Sequence, residues 1–386
     1  MKPHVIYAGM TSWYINHTAR ESEVLGGLAG YWMGNKCPAG VPREKYKRIW
    51  PYHLAQKAFY HLPFSDLEER MRWRNLPFYD AWMNLQEIPD GVNVVQGPMG
   101  SCEPLFKLAE NKDSSILKVF DAPNSHPYSL FEIWQGECDR YSNGFRIPIH
   151  LAIKERIKRE IDAADVVLCP SLFVRDSMIA NGVPEEKCFV SHFGVDTSVF
   201  TEREKLPDKP RFICVGSLTV RKGHQYLFPA FEKVKQRVPE AELVCVGDVR
   251  PDFQTELKKW QGTFTHHLGV PHARLAKMLA ESTAFVMASL EEGFARVLSE
   301  AMAAGLPILA TFETGATTVV RDGIEGIIFK SRDVDGIADA MMRMISEPET
   351  NLAMGHAAYA AGAERNTWND YTKRLLNEYQ RRLGEL

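Results

Sequence analysis

Short, mostly apolar runs alternate along the chain with longer stretches in which apolar residues recur every three or four positions. The stretches with helical spacing include 19–33, 333–345 and 352–363. The apolar runs have the length and character of strands that are covered on both faces, and they lie at 4–8, 93–95, 116–120, 212–217, 242–247, 284–288 and 306–310. This alternation predicts an α/β fold built on parallel sheets.

One charged segment with few apolar residues interrupts the alternation near the middle of the chain. It covers residues 201–209 and is bordered by prolines, which is typical of a linker. A chain of 386 residues can form two domains that each bury a core. We therefore predict an N-terminal domain over 1–200, a C-terminal domain over 201–365, and a final segment over 366–386 that contains an amphipathic helix.

The most distinctive stretch, residues 289–307, follows the apolar run at 284–288. Gly293 permits a tight turn, and the apolar spacing after it predicts a helix over 294–304. The first turn of such a helix, around 294–297, presents backbone N–H groups that attract phosphate. The sequence thus predicts an anion-binding site between an acidic loop and a helix start.

Two carboxylates in this stretch, Glu292 and Glu300, are eight positions apart. Along a helix this spacing covers roughly 12 Å, which is about the extent of a sugar diphosphate with its ribose. A diphosphate at the helix start would place one carboxylate near each end of that ligand. The alternative is a chance pair, with Arg296 and Glu300 forming a surface contact of about 0.3 kcal/mol.

The composition of the chain disfavours several classes of function. A net charge of −3 gives no support for binding to nucleic acid. The seven cysteines form no Cys-x-x-Cys pair, which indicates a reducing compartment and argues against a zinc site. The first residues predict a strand rather than a signal peptide, and no apolar run reaches the ~18 residues needed to span a bilayer. We expect a soluble, cytoplasmic protein.

The segment Glu292-Gly-Phe-Ala-Arg-Val-Leu-Ser-Glu300, continued by Ala-Met-Ala-Ala-Gly-Leu-Pro307, resembles the signature of the retaining glycosyltransferases of family 4. The resemblance covers about residues 115–386 and is strongest from 163 onward. It implies the GT-B fold: two doubly wound, Rossmann-like parallel-sheet domains that face each other across a cleft, with the last helix crossing back to the first domain. In that family the first Glu contacts the donor sugar and the second contacts the nucleotide ribose, which are the roles implied for Glu292 and Glu300.

A second family pattern, Gly-Arg-Leu followed by three residues and Lys-Gly, matches the spacing of Gly216-Ser-Leu-Thr-Val-Arg-Lys-Gly223. It implies that Lys222 holds the diphosphate; the alternative is an ordinary lysine at a helix start, where the helix dipole opposes it. Ser217 stands where the family has arginine, and Arg221 or Arg296 could supply the missing charge. The resemblance therefore implies a donor site formed by Gly216, Ser217, Lys222, Gly293, Phe294, Ala295, Arg296 and Glu300.

A loop histidine completes the candidate catalytic set. Family members carry a histidine that touches the primary hydroxyl of the donor sugar, and His126, after the apolar run at 116–120, is the closest match. A structural role for a lone loop histidine is the alternative. Glu132 and Glu137, on the helix predicted to follow, could reach the same cleft. The candidate catalytic residues are His126, Glu292, Lys222 and Arg221.

Residues 41–82 depart from the family and interleave cations with aromatic rings. The segment contains Arg43, Lys45, Lys47, Arg48, Lys57, Arg70, Arg72 and Arg74 together with Trp50, Tyr52, Phe59, Tyr60, Trp73, Phe78, Tyr79 and Trp82. One interpretation is a helical insertion that packs its rings inside and solvates its charges. The other is peripheral contact with an anionic membrane, where such residues are favourable. Stacking on nucleic acid ranks third.

The predicted function is transfer of a sugar, of the hexosyl type, from a nucleotide diphosphate sugar to an acceptor hydroxyl with retention of configuration. The resemblance implies that the C-terminal domain holds the nucleotide and the N-terminal domain the acceptor. We expect no obligatory metal or other cofactor, because Asp333-Val-Asp335 predicts a helix start rather than a metal site. The alternatives are a nucleotide-sugar epimerase, a sugar phosphorylase, or a non-catalytic nucleotide-sugar-binding protein.

Overall fold

The protein is described by a computed structural model over residues 1–10, 12–50, 76–140, 153–196, 198–363 and 367–385. The first of its two sheets has seven strands, all paired in parallel, in the order β3-β2-β1-β4-β5-β6-β7. Its strands are β1 (Val5–Gly9), β2 (Leu28–Met33), β3 (Tyr46–Arg48), β4 (Val94–Pro98), β5 (Leu117–Asp121), β6 (Val166–Cys169) and β7 (Cys188–Val190).

The second sheet has six parallel strands in the order β10-β9-β8-β11-β12-β13. Its strands are β8 (Arg211–Val215), β9 (Glu242–Val246), β10 (Thr265–His267), β11 (Ala284–Met287), β12 (Ile308–Thr311) and β13 (Gly326–Phe329). The strand order reverses between β8 and β11, and in doubly wound sheets ligands bind at the carboxyl ends of the strands at such a reversal.

Helices connect the strands and cover both faces of each sheet. Those of the first sheet are α1 (Trp13–Val24), α2 (Leu76–Asn84), α3 (Cys102–Lys112), α4 (Pro127–Arg140), α5 (Lys154–Ala163) and α6 (Leu172–Ala180). Those that follow are α7 (His224–Arg237), α8 (Gln254–Leu257), α9 (His272–Ala280), α10 (Val297–Ala303), α11 (Val334–Ser346), α12 (Pro348–Ala363) and α13 (Trp368–Leu383).

The two-sided cores explain why the strands are apolar along their whole length. In β1, Ile6 and Ala8 lie in a cluster with side chains of α3 and α5, whereas Val5 and Tyr7 lie in a second cluster with α1 and α13. Successive strand residues point to opposite faces, so both sets are buried. The two-domain parallel α/β architecture predicted from the sequence is confirmed.

The predicted helix over 19–33 is wrong in its second half. Helix α1 ends at Val24, and Gly26 adopts a left-handed φ of 69°, which turns the chain. Residues Leu28–Met33 then form β2, a strand buried on both faces between β1 and β3. Apolar residues on both faces satisfy a buried strand and a buried helix equally well, so the spacing alone misassigned this run.

The predicted linker is anchored to the C-terminal domain. Arg203 is buried, and its guanidinium donates to the carbonyl oxygens of Ser282 at 2.8 Å and Thr283 at 2.9 Å and to the Asn351 side chain at 2.7 Å. Its own backbone N–H donates to Ala304 at 3.2 Å. The segment that joins the sheets is therefore held against one of them at this residue.

Two helices connect the domains. Helix α4, which follows β5 of the first sheet, buries Leu130 and Trp134 in the core of the second. At its end, the Glu137 carboxylate accepts from the Tyr226 hydroxyl at 2.9 Å and from Arg332 at 2.6 Å. Helix α13 returns to the first sheet, where the Tyr379 hydroxyl donates to Gln96 at 2.7 Å.

The cationic and aromatic segment is only partly described. Lys57, Arg70, Arg72, Arg74, Tyr52, Phe59, Tyr60 and Trp73 lie outside the described residues. In the described part, Tyr79 is fully buried, whereas Trp50 and Phe78 are exposed. Lys47 lies 4.3 Å above the Trp32 ring and Arg48 5.0 Å from the Trp50 ring. Across the described helices, none combines the length and apolar character needed to cross a bilayer.

Candidate active site

Two loops meet at the reversal point of the second sheet. One follows β8 and covers 216–223; the other follows β11 and covers 288–296. They touch backbone to backbone: a Cβ at Gly223 would lie 1.9 Å from the Ala288 carbonyl oxygen, and Leu290 donates its N–H to the Arg221 carbonyl at 2.8 Å. Glycine at 223 therefore brings the basic loop against the acidic one.

The contact between these loops forms a compact cluster of opposite charges. Lys222 Nζ lies 2.6 Å from Glu292 Oε1, and Arg221 Nη1 lies 3.2 Å from Glu292 Oε2. Burial raises the pKa of the Glu292 carboxyl, but the Arg221 and Lys222 cations outweigh that effect and hold this pKa below its usual value. Glu292 is therefore ionised at neutral pH although only 7% of the residue is exposed.

The side chains of Lys222 and Arg221 both remain partly exposed and can contact a ligand. The Lys222 side chain is 13% exposed and the Arg221 side chain 29% exposed. The Lys222 stem lies over Gly216, where an added Cβ would be 3.3 Å from Cε and Nζ. An ammonium group has three donors, so the bond to Glu292 leaves capacity for phosphate oxygens.

A second buried carboxylate, Glu291, carries no role in the sequence interpretation. Arg221 Nη1 donates to its carbonyl oxygen at 2.9 Å and lies 3.4 Å from Oε2. The Ser125 N–H donates to Oε1 at 3.0 Å, and the side chains of Ser125 and Asn124 donate as well. The doubled acid at 291–292 is the only sequence signal, and it cannot reveal a contact 166 positions away.

The acidic loop is held between the two domains. A Cβ at Gly293 would lie 1.8 Å from the Pro123 carbonyl oxygen, and the Ser171 hydroxyl donates to the Gly293 carbonyl at 2.5 Å. Phe294 is buried among side chains of the first sheet and of α13, with its ring 5.5 Å from that of His192. The candidate donor residues Gly293 and Phe294 thus lie at the domain contact.

The helix predicted over 294–304 begins later than expected. Helix α10 starts at Val297, three residues on, and Ala295 donates its N–H to the Thr314 carbonyl at 3.2 Å. Gly293 packs against Pro123 and Ala295 is bonded to Thr314, whereas Arg296 already has helical backbone angles and is the N-cap. The prediction that the Ala295 N–H is available to phosphate is wrong.

The other predicted donor residues flank this loop. Glu300 lies on α10 with Oε1 3.5 Å from His272 Nε2, a partner that the sequence did not indicate. Burial lowers the pKa of Arg296, and the charge of Glu300 opposes that effect. Ser217 donates its hydroxyl to Asp248, and this hydrogen bond holds the Asp248 pKa below its usual value.

The ring of His126 caps a helix. Its Nδ1 accepts from the Tyr128 N–H at 3.3 Å at the start of α4, and burial lowers its pKa to about 4. Its backbone N–H donates to the Ser177 hydroxyl at 2.9 Å. The bonds from this loop to the acidic loop come from its neighbours Asn124 and Ser125, and Glu137 lies in the domain contact with Tyr226 and Arg332.

The Asp-x-Asp pair at 333–335 begins α11, as predicted. Asp333 is the N-cap and accepts from the Gly336 N–H at 2.9 Å, while Asp335 pairs with Lys233. Within the described ranges, no group of three or more His, Cys, Asp or Glu side chains is arranged to hold a metal ion. Independence from metal stays a prediction.

Comparison with known proteins agrees with the fold. Residues 197–361 match the family "Glycosyl transferases group 1". Among solved structures, sucrose-phosphate synthase from Thermosynechococcus elongatus superposes with a TM-score of 0.71 at 16% identity, covering all of both chains. Anabaena Alr3699/HepE, in a complex with UDP and glucose, gives 0.64 at 13% identity over 98% of this chain and 99% of that one.

Two relatives in sequence each match a little more than half of the chain. The GDP-mannose-dependent alpha-(1-6)-phosphatidylinositol monomannoside mannosyltransferase of Mycolicibacterium smegmatis is 30% identical over 57% of this chain. The sulfoquinovosyl transferase SQD2 of Arabidopsis thaliana is 28% identical over 56% of this chain. The matched region spans 63% and 44% of those two relatives. Residues 197–361 thus match the group 1 glycosyl transferases, and the two-sheet architecture of the whole chain is that of the GT-B glycosyltransferase structures.

Proposed function

We propose that the protein transfers a hexosyl group from a nucleotide diphosphate sugar to an acceptor hydroxyl, with retention of configuration. The cluster of Arg221, Lys222 and Glu292 at the reversal point of the second sheet carries this proposal. Departure of a nucleoside diphosphate builds up negative charge, and fixed cations at that point lower the barrier without reorganising. The contact of Gly293 with Pro123 of the first domain lies next to the cluster.

Four of the predicted site residues have roles in this proposal. Lys222 and Arg221 bind the diphosphate, Glu292 accepts hydrogen bonds from hydroxyls of the donor sugar, and Glu300 accepts them from the ribose. Glu292 suits its role because it is ionised and fixed by two cations. The same bonds make it a poor nucleophile.

Retention follows in this proposal from attack on the face that the diphosphate leaves. Glu291 and Glu292 are engaged by several donors and do not support a covalent sugar–carboxylate intermediate. The acceptor hydroxyl forms the new bond to the anomeric carbon while the bond to the diphosphate breaks. The acceptor proton passes to the departing phosphate oxygen, which is the base that needs no further side chain.

The donor and acceptor classes are proposed from the relatives. One relative's name specifies GDP-mannose, and the Anabaena structure contains UDP and glucose, so GDP and UDP sugars are the first donors to test. The acceptor in the mannosyltransferase's name is a phosphatidylinositol derivative. A lipid-linked acceptor would also suit the exposed Trp50 and Phe78.

A nucleotide screen followed by a transfer assay tests the proposal. We expect UDP or GDP to raise the melting temperature of the wild type by mass action. Lys222→Met should abolish that rise, whereas Lys233→Met, which removes an exposed lysine of the same domain, should keep it. Wild type that neither responds to nucleoside diphosphates nor consumes donor would overturn the proposal.

Product analysis separates this function from its alternatives. Transfer that depends on an added acceptor, continues in EDTA and gives a product with the anomeric configuration of the donor supports it. Conversion of donor to an isomer without acceptor would indicate an epimerase. Dependence on inorganic phosphate would indicate a phosphorylase.

A further inference from the structure

We infer that Glu291 is a positioning residue that holds Arg221 for the diphosphate and ties its placement to the N-terminal domain. The inference rests on the proposed function, since it names what assembles that phosphate site. It concerns one carboxylate, the arginine in the loop after β8, and the loop Asn124–Ser125 after β5.

The contact with Arg221 is made by backbone and side chain together. Nη1 donates to the Glu291 carbonyl oxygen at 2.9 Å and approaches Oε2 at 3.4 Å, while the same nitrogen lies 3.2 Å from Glu292 Oε2. One edge of the guanidinium is therefore fixed by two consecutive acidic residues. Since 29% of the side chain stays exposed, the remainder of the planar group can meet a ligand.

The other side of Glu291 is held by the opposite domain. Oε1 accepts from the Ser125 N–H at 3.0 Å and the Ser125 hydroxyl at 3.2 Å, and Asn124 Nδ2 lies 3.2 Å from Oε2. These donors follow β5 of the first sheet, whereas Arg221 follows β8 of the second. The carboxylate thus bridges the two sheets.

The burial of Glu291 makes its oxygens dependent on the donors from both domains. Glu291 is fully buried, and a buried carboxylate is tolerated only while donors satisfy its oxygens. If the domains separated, the donors from Asn124 and Ser125 would be lost, and water or a new rotamer would have to replace them. The Glu291 carboxylate then keeps its present place beside Arg221 only while the N-terminal loop is docked, so this part of the diphosphate site is complete in the closed arrangement.

A purely structural role for Glu291, joining two loops without affecting Arg221, is the competing explanation. A double-mutant cycle separates the two, because a residue that acts through Arg221 loses its effect once that side chain is absent. We would measure the affinity of UDP and GDP by calorimetry for wild type, Glu291→Gln, Arg221→Ala and the double variant. Glutamine keeps the shape but presents an amide donor to Arg221 or Asn124.

We expect Glu291→Gln to weaken binding of the nucleoside diphosphate about tenfold in the wild-type background and less than about twofold on Arg221→Ala. The affinity for the corresponding nucleoside monophosphate should change far less, which would show that the loss concerns the terminal phosphate. Ser125→Ala, which keeps the backbone donor, should give a smaller effect that also vanishes on Arg221→Ala. That variant carries the test if Glu291→Gln does not fold.

Glu137→Gln is the matched control. Glu137 is also a buried carboxylate that bridges the domains, but its described partners are Tyr226, Gln225, Arg140 and Arg332 rather than Arg221. Glu137→Gln should change the affinity for UDP or GDP by the same factor in the wild-type and the Arg221→Ala backgrounds. Equal effects of Glu291→Gln in both backgrounds would overturn the inference alone, whereas wild type that binds no nucleoside diphosphate would overturn it together with the proposed function.

Discussion

Two buried carboxyl groups of this protein have opposite pKa shifts, and the difference lies in their immediate neighbours. The Arg221 and Lys222 cations hold the pKa of Glu292 below its usual value despite burial. Asp121, at the end of β5, accepts from Gln96 at 2.8 Å, and burial raises its pKa to about 7. At Glu292 two cations within contact distance outweigh desolvation, whereas at Asp121 the neutral donors Gln96 and Tyr14 do not.

The first prediction concerns the two glutamates of the signature. Glu300→Ala should weaken nucleotide binding, because this side chain is assigned to the ribose, while Glu292→Ala should chiefly lower turnover. Calorimetry with UDP and GDP, together with steady-state kinetics, would distinguish the two effects. If both variants bound nucleotide and turned over like wild type, the assignment of the site would be wrong.

A second prediction ranks two arginines. Arg221 contacts Glu292 directly, so Arg221→Ala should remove about 2–4 kcal/mol of transition-state stabilisation, as for one preorganised donor. Arg296→Ala should have a mild effect on kcat/KM. The reverse ranking in steady-state kinetics would assign the charge missing at Ser217 to Arg296.

Asp121 gives a prediction about pH. Because its folded pKa, about 7, lies well above the ordinary pKa of an aspartate, the neutral form is favoured in the folded state, and the protein loses stability as pH rises from about 4 to about 7. The two pKa values correspond to a loss of about 4 kcal/mol. Asp121→Asn should remove this loss, so its advantage over wild type in urea unfolding should grow over that range. A constant difference between the two proteins would contradict the prediction.

At the scale of secondary-structure elements, the candidate site is formed by loops that contact each other through the backbone at glycines. Gly223 brings the loop after β8 against Ala288, and Gly293 brings the acidic loop against Pro123. In both contacts the glycine lies against a backbone carbonyl of the neighbouring loop. Helix α10, Val297–Ala303, follows the acidic loop directly.

Gly293→Ala should therefore disturb the domain contact. Its Cβ would lie 1.8 Å from the Pro123 carbonyl, which only a backbone shift can relieve, and such overpacking costs about 1–3 kcal/mol. We expect a lower melting temperature and weaker binding of UDP or GDP. The control is Gly136→Ala on α4, where an added Cβ meets no atom within 4 Å and helix propensity favours alanine. Equal melting temperatures for the two variants would contradict the steric argument.

At the scale of the whole molecule, the domains are joined by contacts of several kinds. Helix α4 inserts Leu130 and Trp134 into the second core, Glu137 bonds Tyr226, and the N–H of Leu172 donates to Thr318 at 3.0 Å. Together with the bridge at Glu291, these contacts close the first domain over the acidic loop. Among the described residues of the segment 41–82, Trp50 and Phe78 are exposed.

The composition of residues 41–82 supports a prediction about membrane binding. If residues 41–82 contact an anionic bilayer, each Lys or Arg near the surface contributes about 1 kcal/mol, and the exposed rings favour the interface. Salt-sensitive flotation with anionic liposomes, lost on replacing Lys45, Lys47 and Arg48 by Ser, would support this. The packed-insertion interpretation predicts protein that stays in the soluble fraction at low salt, and that result would exclude membrane contact through this segment.

The sequence by itself determined the features that depend on neighbours along the chain. Continuous apolar runs indicated strands covered on both faces, and fixed spacings singled out Lys222, Glu292 and Glu300 as candidate site residues. These signals are local, because the apolar run of a strand and the spacing of loop residues each lie within a few positions of the chain. The prediction that a helix starts at Asp333 rests on a local signal of the same kind, and it is confirmed.

Tertiary structure decided what depends on two distant segments meeting. It placed Leu28–Met33 between two strands instead of in a helix, held residues before Val297 out of α10, and enclosed the His126 ring at the start of α4. It also brought Ser125 to Glu291, a contact between domains. No spacing along one chain encodes how two sheets are placed against each other, because that placement is set by the packing of the whole interface.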